Sequence, residues 1–145
     1  MGTAAHIRAL RIRAGKSQAE IARRLELNMA WYADLEIRDD ELASTLTIFK
    51  AMELASMLGV PLHELLDLPA IAGPHIAFVD LPGRIAAHAA QAGMSIEQLE
   101  QKTGWELREF IAAPVQSAAE LPILFFQAIA ALLGISWLAL VPEDP

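Results

Sequence analysis

Residues 17–36 read SQAEIARRLELNMAWYADLE, and this stretch decides the fold. Ser17 is a good helix N-cap, and Glu20, three residues later, completes a capping box. Apolar residues then follow at helical spacing, at Ile21, Ala22 and Leu25. Asn28 is placed to cap a further helix, whose apolar residues recur at Met29, Tyr32 and Leu35. The stretch therefore predicts two short helices, over 18–25 and 29–37, joined by a tight turn.

The flanking sequence predicts three more helices. Residues 4–14 (AAHIRALRIRA) carry an apolar stripe and end before Gly15, a favourable C-cap residue. The polar residues 38–41 predict a loop, and residues 44–58 (STLTIFKAMELASML) predict a helix that stops at Gly59. Pro61 suits the first turn of a last short helix, PLHELL. Five helices are thus expected in a first domain, residues 1–68.

These residues resemble the Cro/C1-type (Xre) helix-turn-helix family over residues 4–68. The resemblance rests on Ser17-Gln18, Ala22, Glu36 and the closing Gly-Val-Pro at 59–61. It implies a lambda-repressor-like fold that binds double-stranded DNA, with the second helix of the motif entering the major groove. It also implies a structural ion pair between Arg11 and Glu36.

The composition favours an all-α protein and limits the other possibilities. The chain has 145 residues, 54% of them hydrophobic, and alternating β-branched runs are absent from the sequence. There is no cysteine, which excludes disulfides and thiolate metal sites and fits a cytoplasmic location. No signal-peptide pattern opens the chain. The formal net charge of −7 counts against DNA binding, because DNA-binding domains usually carry a basic face.

The most apolar stretch, residues 121–141, is uncharged and about as long as a membrane span. Pro122 and Gly134 argue against a membrane helix, as does its match to an earlier segment. We therefore expect no membrane association.

The second half of the chain repeats the first. Residues 86–104 align with 8–26 at a constant shift of 78, and residues 121–140 align with 46–65 at a shift of 75. Residues 69–81 predict a linker, and residues 82–145 predict a degenerate helix-turn-helix-like domain. Ala89 and Pro114 replace Arg11 and Glu36, so both partners of the ion pair are lost together, which avoids an unpaired buried charge. The fold expected is two tandem five-helix units.

The resemblance also assigns candidate DNA contacts. Gln18 takes the phosphate-contacting position, while Asn28, Met29, Ala30 and Asp34 take positions that face bases or backbone. Met29 and Ala30 offer only apolar contact to a thymine methyl, and a carboxylate at Asp34 repels phosphate. The basic side chains could contact phosphates or form a solvated face. The full set is Arg13, Lys16, Ser17, Gln18, Arg23, Asn28, Met29, Ala30, Asp34 and Arg38.

The second unit carries Ile96 at the position of Gln18 and is not expected to contact DNA. It is unusually apolar, at Trp105, Leu107, Phe110, Ile111, Phe125, Phe126 and Trp137. Two interpretations are open: a packed core, or a surface for a homodimer or another protein partner. Phe125 and Phe126 are adjacent, so we do not expect both in one core.

The sequence thus favours a transcriptional regulator that binds DNA through its first domain as a homodimer. The alternative is an interaction module on the same fold, such as an antiactivator or adaptor. No catalytic set, cofactor motif or metal-ligand spacing is present, so neither an enzyme nor a cofactor is expected.

Overall fold

The computed structural model describes residues 2–70 and 74–142. The chain divides into two compact units, Met1–Ala70 and Ile71–Pro145. The described residues form helices and connecting turns, with no strand among them, so the fold is all-α. Part of the predicted linker, residues 71–73, lies outside the described residues.

The first unit has a core supplied by every one of its described helices. These helices are α1 (Thr3–Arg13), α2 (Gln18–Arg24), α3 (Met29–Leu35), α4 (Glu41–Thr45), α5 (Ile48–Met57) and α6 (Leu62–Leu65). Helix α2 packs against α3, α1 against α6, and α5 against α6. Side chains with little or no exposure fill the centre, among them Ile7, Ile21, Tyr32, Leu54 and Leu65. Burial of this apolar stripe stabilises helices that are too short to persist alone.

The single helix predicted over residues 44–58 is wrong. The structure contains two helices there, because Leu46 is extended (φ −90°, ψ 144°) between α4 and α5. Thr47 caps α5, and its hydroxyl accepts a hydrogen bond from the Lys50 N–H at 3.1 Å. Helix α4 begins at Glu41, inside the predicted loop of 38–41. The threonine was counted as a helical residue, whereas its side chain favours a helix start.

The second unit begins with a 3-10 helix at Phe78–Asp80 and ends with one at Trp137–Leu140. Between them lie α7 (Leu81–Ala92), α8 (Ile96–Thr103), α9 (Leu107–Ala112), α10 (Pro114–Ala118) and α11 (Ile123–Leu133). Helix α11 supplies the largest share of the core, with Ile123, Phe125, Phe126 and Ile129 all at 0% exposure.

The C-terminal part of the predicted linker belongs to the second unit. The Ile76 N–H donates to the Ala139 carbonyl at 2.9 Å. The Phe78 ring is buried, with its centroid 5.2 Å from that of Phe126. A polar, Pro- and Gly-containing linker was expected over 69–81, but these apolar side chains pack instead of remaining in solvent.

The helices of the two units begin at matching positions. Helices α7, α8 and α9 each start 78 residues after α1, α2 and α3. Helix α11 and the final 3-10 helix each start 75 residues after α5 and α6. The left-handed residues match as well: Gly15 with Gly93, Glu26 with Gly104, and Gly59 with Gly134. The units differ where Ala113 alone connects α9 to α10, against residues 36–40 between α3 and α4.

No helix within residues 2–70 and 74–142 combines the length and hydrophobicity needed to cross a membrane. The most apolar, α11, has 11 residues.

Candidate nucleic-acid interface

Helices α2 and α3 are each fixed at their first turn by a polar side chain. The Ser17 hydroxyl accepts from the Glu20 N–H at 3.1 Å, and the Asn28 carbonyl oxygen accepts from the Ala30 N–H at 2.7 Å. Of the predicted capping box only the Ser17 half forms, because the Glu20 carboxylate lies 3.6 Å from the Lys16 ammonium instead. Both caps hold the turn between the helices in a defined geometry.

Helix α3 presents one face to the core and the other to solvent. Tyr32 and Leu35 are buried, whereas Asn28, Met29 and Ala30 are exposed at the helix start. Three of the four first-turn N–H groups of a helix lack partners within the helix once one is capped. The N-terminal turn of α3 is therefore accessible to a ligand.

A buried carboxylate ties α1, α2 and α3 together. Glu36 accepts from Arg11 twice, at 2.7 and 3.0 Å, and from the Gln18 amide at 3.0 Å. Arg11 also donates to the Lys16 carbonyl at 3.0 Å. The arginine and the glutamate are thus held as the resemblance implied, with Gln18 as a third member.

The electrostatics of this network favour its charged form. Burial raises the pKa of Glu36, but hydrogen bonds, that from Arg11 first, and the Arg11 charge outweigh it and lower the pKa below its ordinary value. The hydrogen bond to Glu36 raises the pKa of Arg11. Burial, together with the nearby Glu36 carboxylate, raises the pKa of the Tyr32 phenol. The network is therefore a fixed ion pair under ordinary conditions.

Gln18 differs from its expected role as a free phosphate contact. Its side-chain nitrogen is engaged by Glu36, which leaves its carbonyl oxygen and the backbone at the start of α2. A carbonyl oxygen accepts hydrogen bonds and offers nothing to a phosphate. The contribution of Gln18 to an interface is therefore to orient α2 against α3.

Four basic candidates lie on the surface of the first unit. Arg13, Arg23 and Arg38 are exposed, and no ion pair or hydrogen bond engages their side chains within the described part of the chain. Lys16 is partly buried and faces Glu20. The three arginines are free to bind an anion such as a phosphate group.

The same surface carries features that oppose DNA. Asp34 is half-buried on α3 with no ion-pair partner among the described residues. Met29 is 47% exposed and Trp31 56% exposed, and Ile37 beyond the helix is 72% exposed. Large apolar side chains on an exposed helix face are typical of protein-binding surfaces.

The equivalent helix start in the second unit is occupied by the chain itself. The Glu100 carboxylate accepts from the N–H groups of Leu107 and Arg108 at 2.8 and 3.2 Å. It also accepts from the Arg108 guanidinium at 3.0 and 2.9 Å. These N–H groups, that of Arg108 first, lower the pKa of Glu100. A carboxylate at this position excludes a phosphate from the N-terminus of α9.

The predicted partner surface of the second unit is largely core, which corrects the surface interpretation. Leu107, Phe110, Phe125 and Phe126 are at most 1% exposed, while Trp105, Ile111 and Trp137 are half-buried. Phe125 and Phe126 both lie inside, contrary to expectation. Neighbouring helical residues point about 100° apart, and α11 has aromatic neighbours on both sides. Phe125 contacts Trp105, with ring centroids 5.4 Å apart, and Phe126 contacts Phe78.

One structural residue was missed by the sequence analysis. Asp39, predicted in a solvated loop, accepts from the Ala4 N–H at 3.0 Å and so caps α1. A β-carbon on Gly2 would lie 2.3 Å from an Asp39 oxygen. No local pattern reveals a cap that lies 35 residues away.

Comparisons with family models, curated proteins and solved structures give no match to this chain. Its function is therefore inferred from these side chains.

Proposed function

We propose that the chain is a DNA-binding transcriptional regulator of the Cro/C1-type, built from two tandem helix-turn-helix units. The observation that carries the proposal is the exposed N-terminal turn of α3, held against α2 by the Arg11–Glu36–Gln18 network. A rigid helix with a free N-terminus is the element that enters a major groove.

The first unit supplies two kinds of contact. Arg13, Arg23 and Arg38, with Lys16, contact the phosphate backbone and position α3. Asn28 reads base edges, while Met29 and Ala30 contact thymine methyl groups. Ser17 and Gln18 fix the start of α2, and Asp34 disfavours backbone approach at its own position.

The second unit is a degenerate copy that does not bind DNA. Its matching helix starts and matching left-handed residues support a common origin. Glu100 occupies the start of α9, and residues 71–145 contain three basic residues against eight acidic ones. Its role in the proposal is to support a homodimer through the half-buried Trp105, Ile111 and Trp137, so that two first units face a two-fold site.

The test is selection from random duplexes at low salt, followed by a salt series. The Arg23→Gln/Arg38→Gln variant removes two proposed phosphate contacts. We expect affinity to fall by about tenfold or more and the salt slope to fall by roughly 1.8, because each contact contributes about 0.9. The matched control is Arg84→Gln/Lys102→Gln, which changes the net charge equally in the second unit and should leave the salt slope unchanged. Equal effects in both variants would contradict the proposal.

A second function is favoured by the exposed apolar residues of α3. Trp31 and Met29, together with the net charge of −7, suit an interaction module that binds another regulator through this face. Absence of any selected duplex at low salt would favour this function. Trp31→Ala should then abolish binding of the protein partner, whereas Arg23→Gln/Arg38→Gln should not.

A further inference from the structure

A cleft of about 340 Å³ lies within the second unit, between the start of α9 and the residues that follow α10. Its volume is within the range of small-molecule sites. The lining includes Trp105, Glu106, Glu109, Phe110, Glu120 and Leu121. All the lining residues fall within 104–121, so the cleft is complete within one unit.

The apolar part of the cleft is rigid. The Phe110 ring lies 5.2 Å from Phe125 and 6.1 Å from Phe126, and the Trp105 ring lies 5.4 Å from Phe125. Phe110 is 1% exposed, and Trp105 is half-buried. Two aromatic rings held by the core form a surface that does not need to be ordered when a ligand binds.

The polar part of the cleft carries charge of one sign. Glu106, Glu109 and Glu120 are exposed, and no ion pair or hydrogen bond engages their carboxylates within residues 74–142. The nearest base along the chain, Arg108, is held by Glu100 through two contacts, although Glu106 contributes to raising its pKa. No basic side chain lines the cleft, so its negative charge is not neutralised locally.

We propose that this cleft binds an organic cation, an alkyl guanidinium or ammonium group. The aromatic rings suit the alkyl chain and the face of a cation, and the three glutamates suit its charge. A neutral apolar molecule would leave the carboxylates without a role, and an anion would be repelled. The site goes beyond the proposed DNA function, since it lies in the unit that does not contact DNA.

The test uses the full chain and two ligands of one shape, butylguanidinium and the neutral butylurea. Binding is followed by calorimetry and by the NMR signals of the tryptophan indole N–H groups, assigned with Trp31→Phe and Trp137→Phe. We expect butylguanidinium to bind, to shift the Trp105 signal, and to bind about tenfold or more tightly than butylurea. Its affinity should fall as salt rises. N-acetylarginine amide serves as the probe for an arginine of a protein; the tighter of the two cations identifies a free amine or a side chain as the source.

The variant Glu106→Gln/Glu109→Gln/Glu120→Gln should reduce butylguanidinium affinity by about tenfold or more, since three charged partners are removed. The control Glu53→Gln/Asp67→Asn/Glu97→Gln changes the net charge by the same amount at exposed positions outside the cleft, and should change affinity by less than about twofold. Equal binding of butylguanidinium and butylurea, equal loss in both variants, or a shift confined to Trp31 or Trp137 would overturn the proposal.

Discussion

Glu36 is the one charged side chain buried among the described residues, at 7% exposure. Its folded pKa lies below the ordinary value of 4.5, so the carboxylate stabilises the fold above that value. This stabilisation is lost as the pH falls through the folded pKa. We expect Glu36→Gln to lower the free energy of unfolding by about 2–4 kcal/mol at neutral pH, because Arg11 loses its partner. The difference from the unsubstituted chain should shrink toward about pH 3, as measured by urea titration at several pH values.

The control for this prediction is a double-mutant cycle. Arg11→Met should cost a similar amount, and Arg11→Met/Glu36→Met should cost less than the two single changes together. The second unit carries Ala89 and Pro114 at the two aligned positions, which is consistent with removal of both partners. Full additivity would show that the pair contributes no coupling.

At the residue scale, side chains were predictable where their partners belong to the family pattern. Arg11 and Glu36 were assigned by resemblance, and their geometry is bidentate. The Gln18 amide could not be placed, because a glutamine at a helix start suits both a phosphate and a nearby carboxylate. Only the fold shows that Glu36 lies within 3.0 Å of it.

At the element scale, α1 depends on a cap from another part of the chain. Asp39→Ala should lower the free energy of unfolding by about 1 kcal/mol, because the Ala4 N–H loses its acceptor. Asp39→Asn should retain most of the stability. Asp40→Ala is the matched control: this neighbour makes no side-chain cap and should cost less than about 0.5 kcal/mol. Thermal unfolding of the three variants measures the difference, and equal loss in both alanine variants would argue against the cap.

Helix positions were predictable, but helix ends and packing partners were less so. The glycines at 15, 59, 93 and 134 marked real chain reversals, each with φ between 66° and 73°. The break between α4 and α5 was missed because Thr47 suits both a helix interior and a cap. The burial of both Phe125 and Phe126 was missed because their spacing describes one helix and not the neighbours around it.

At the scale of the whole molecule, charge is unevenly divided. Residues 1–70 hold eight basic and ten acidic side chains, while residues 71–145 hold three and eight. The second unit therefore repels DNA without contacting it in the proposed function. We expect Glu97→Lys/Gln101→Lys, both exposed on α8, to raise affinity for the selected duplex at low salt by a few-fold. The salt slope should stay unchanged, since no phosphate contact is added. A steeper slope would mean that α8 contacts DNA.

The all-α fold and the places of most helices could be predicted from the sequence, since periodicity and capping residues are local signals. The candidate interface could be predicted only as a set of residues. Whether Arg23 is free or Lys16 is paired depends on neighbours in space, as does the occupation of the α9 start by Glu100. The cleft of the second unit has no local signal at all.

The cap on α1 also bears on how the two units could diverge. Pro82 stands 78 residues after Ala4, within the first turn of α7, and proline has no N–H to satisfy. The connection before α10 is shortened to Ala113, so the segment that carries Asp39 in the first unit is missing there. A loop deletion is tolerated once the helix start needs no acceptor, whereas the reverse order passes through a chain with an unpaired donor. The order of these two changes is thus constrained by a single amide hydrogen, with proline arriving before the deletion.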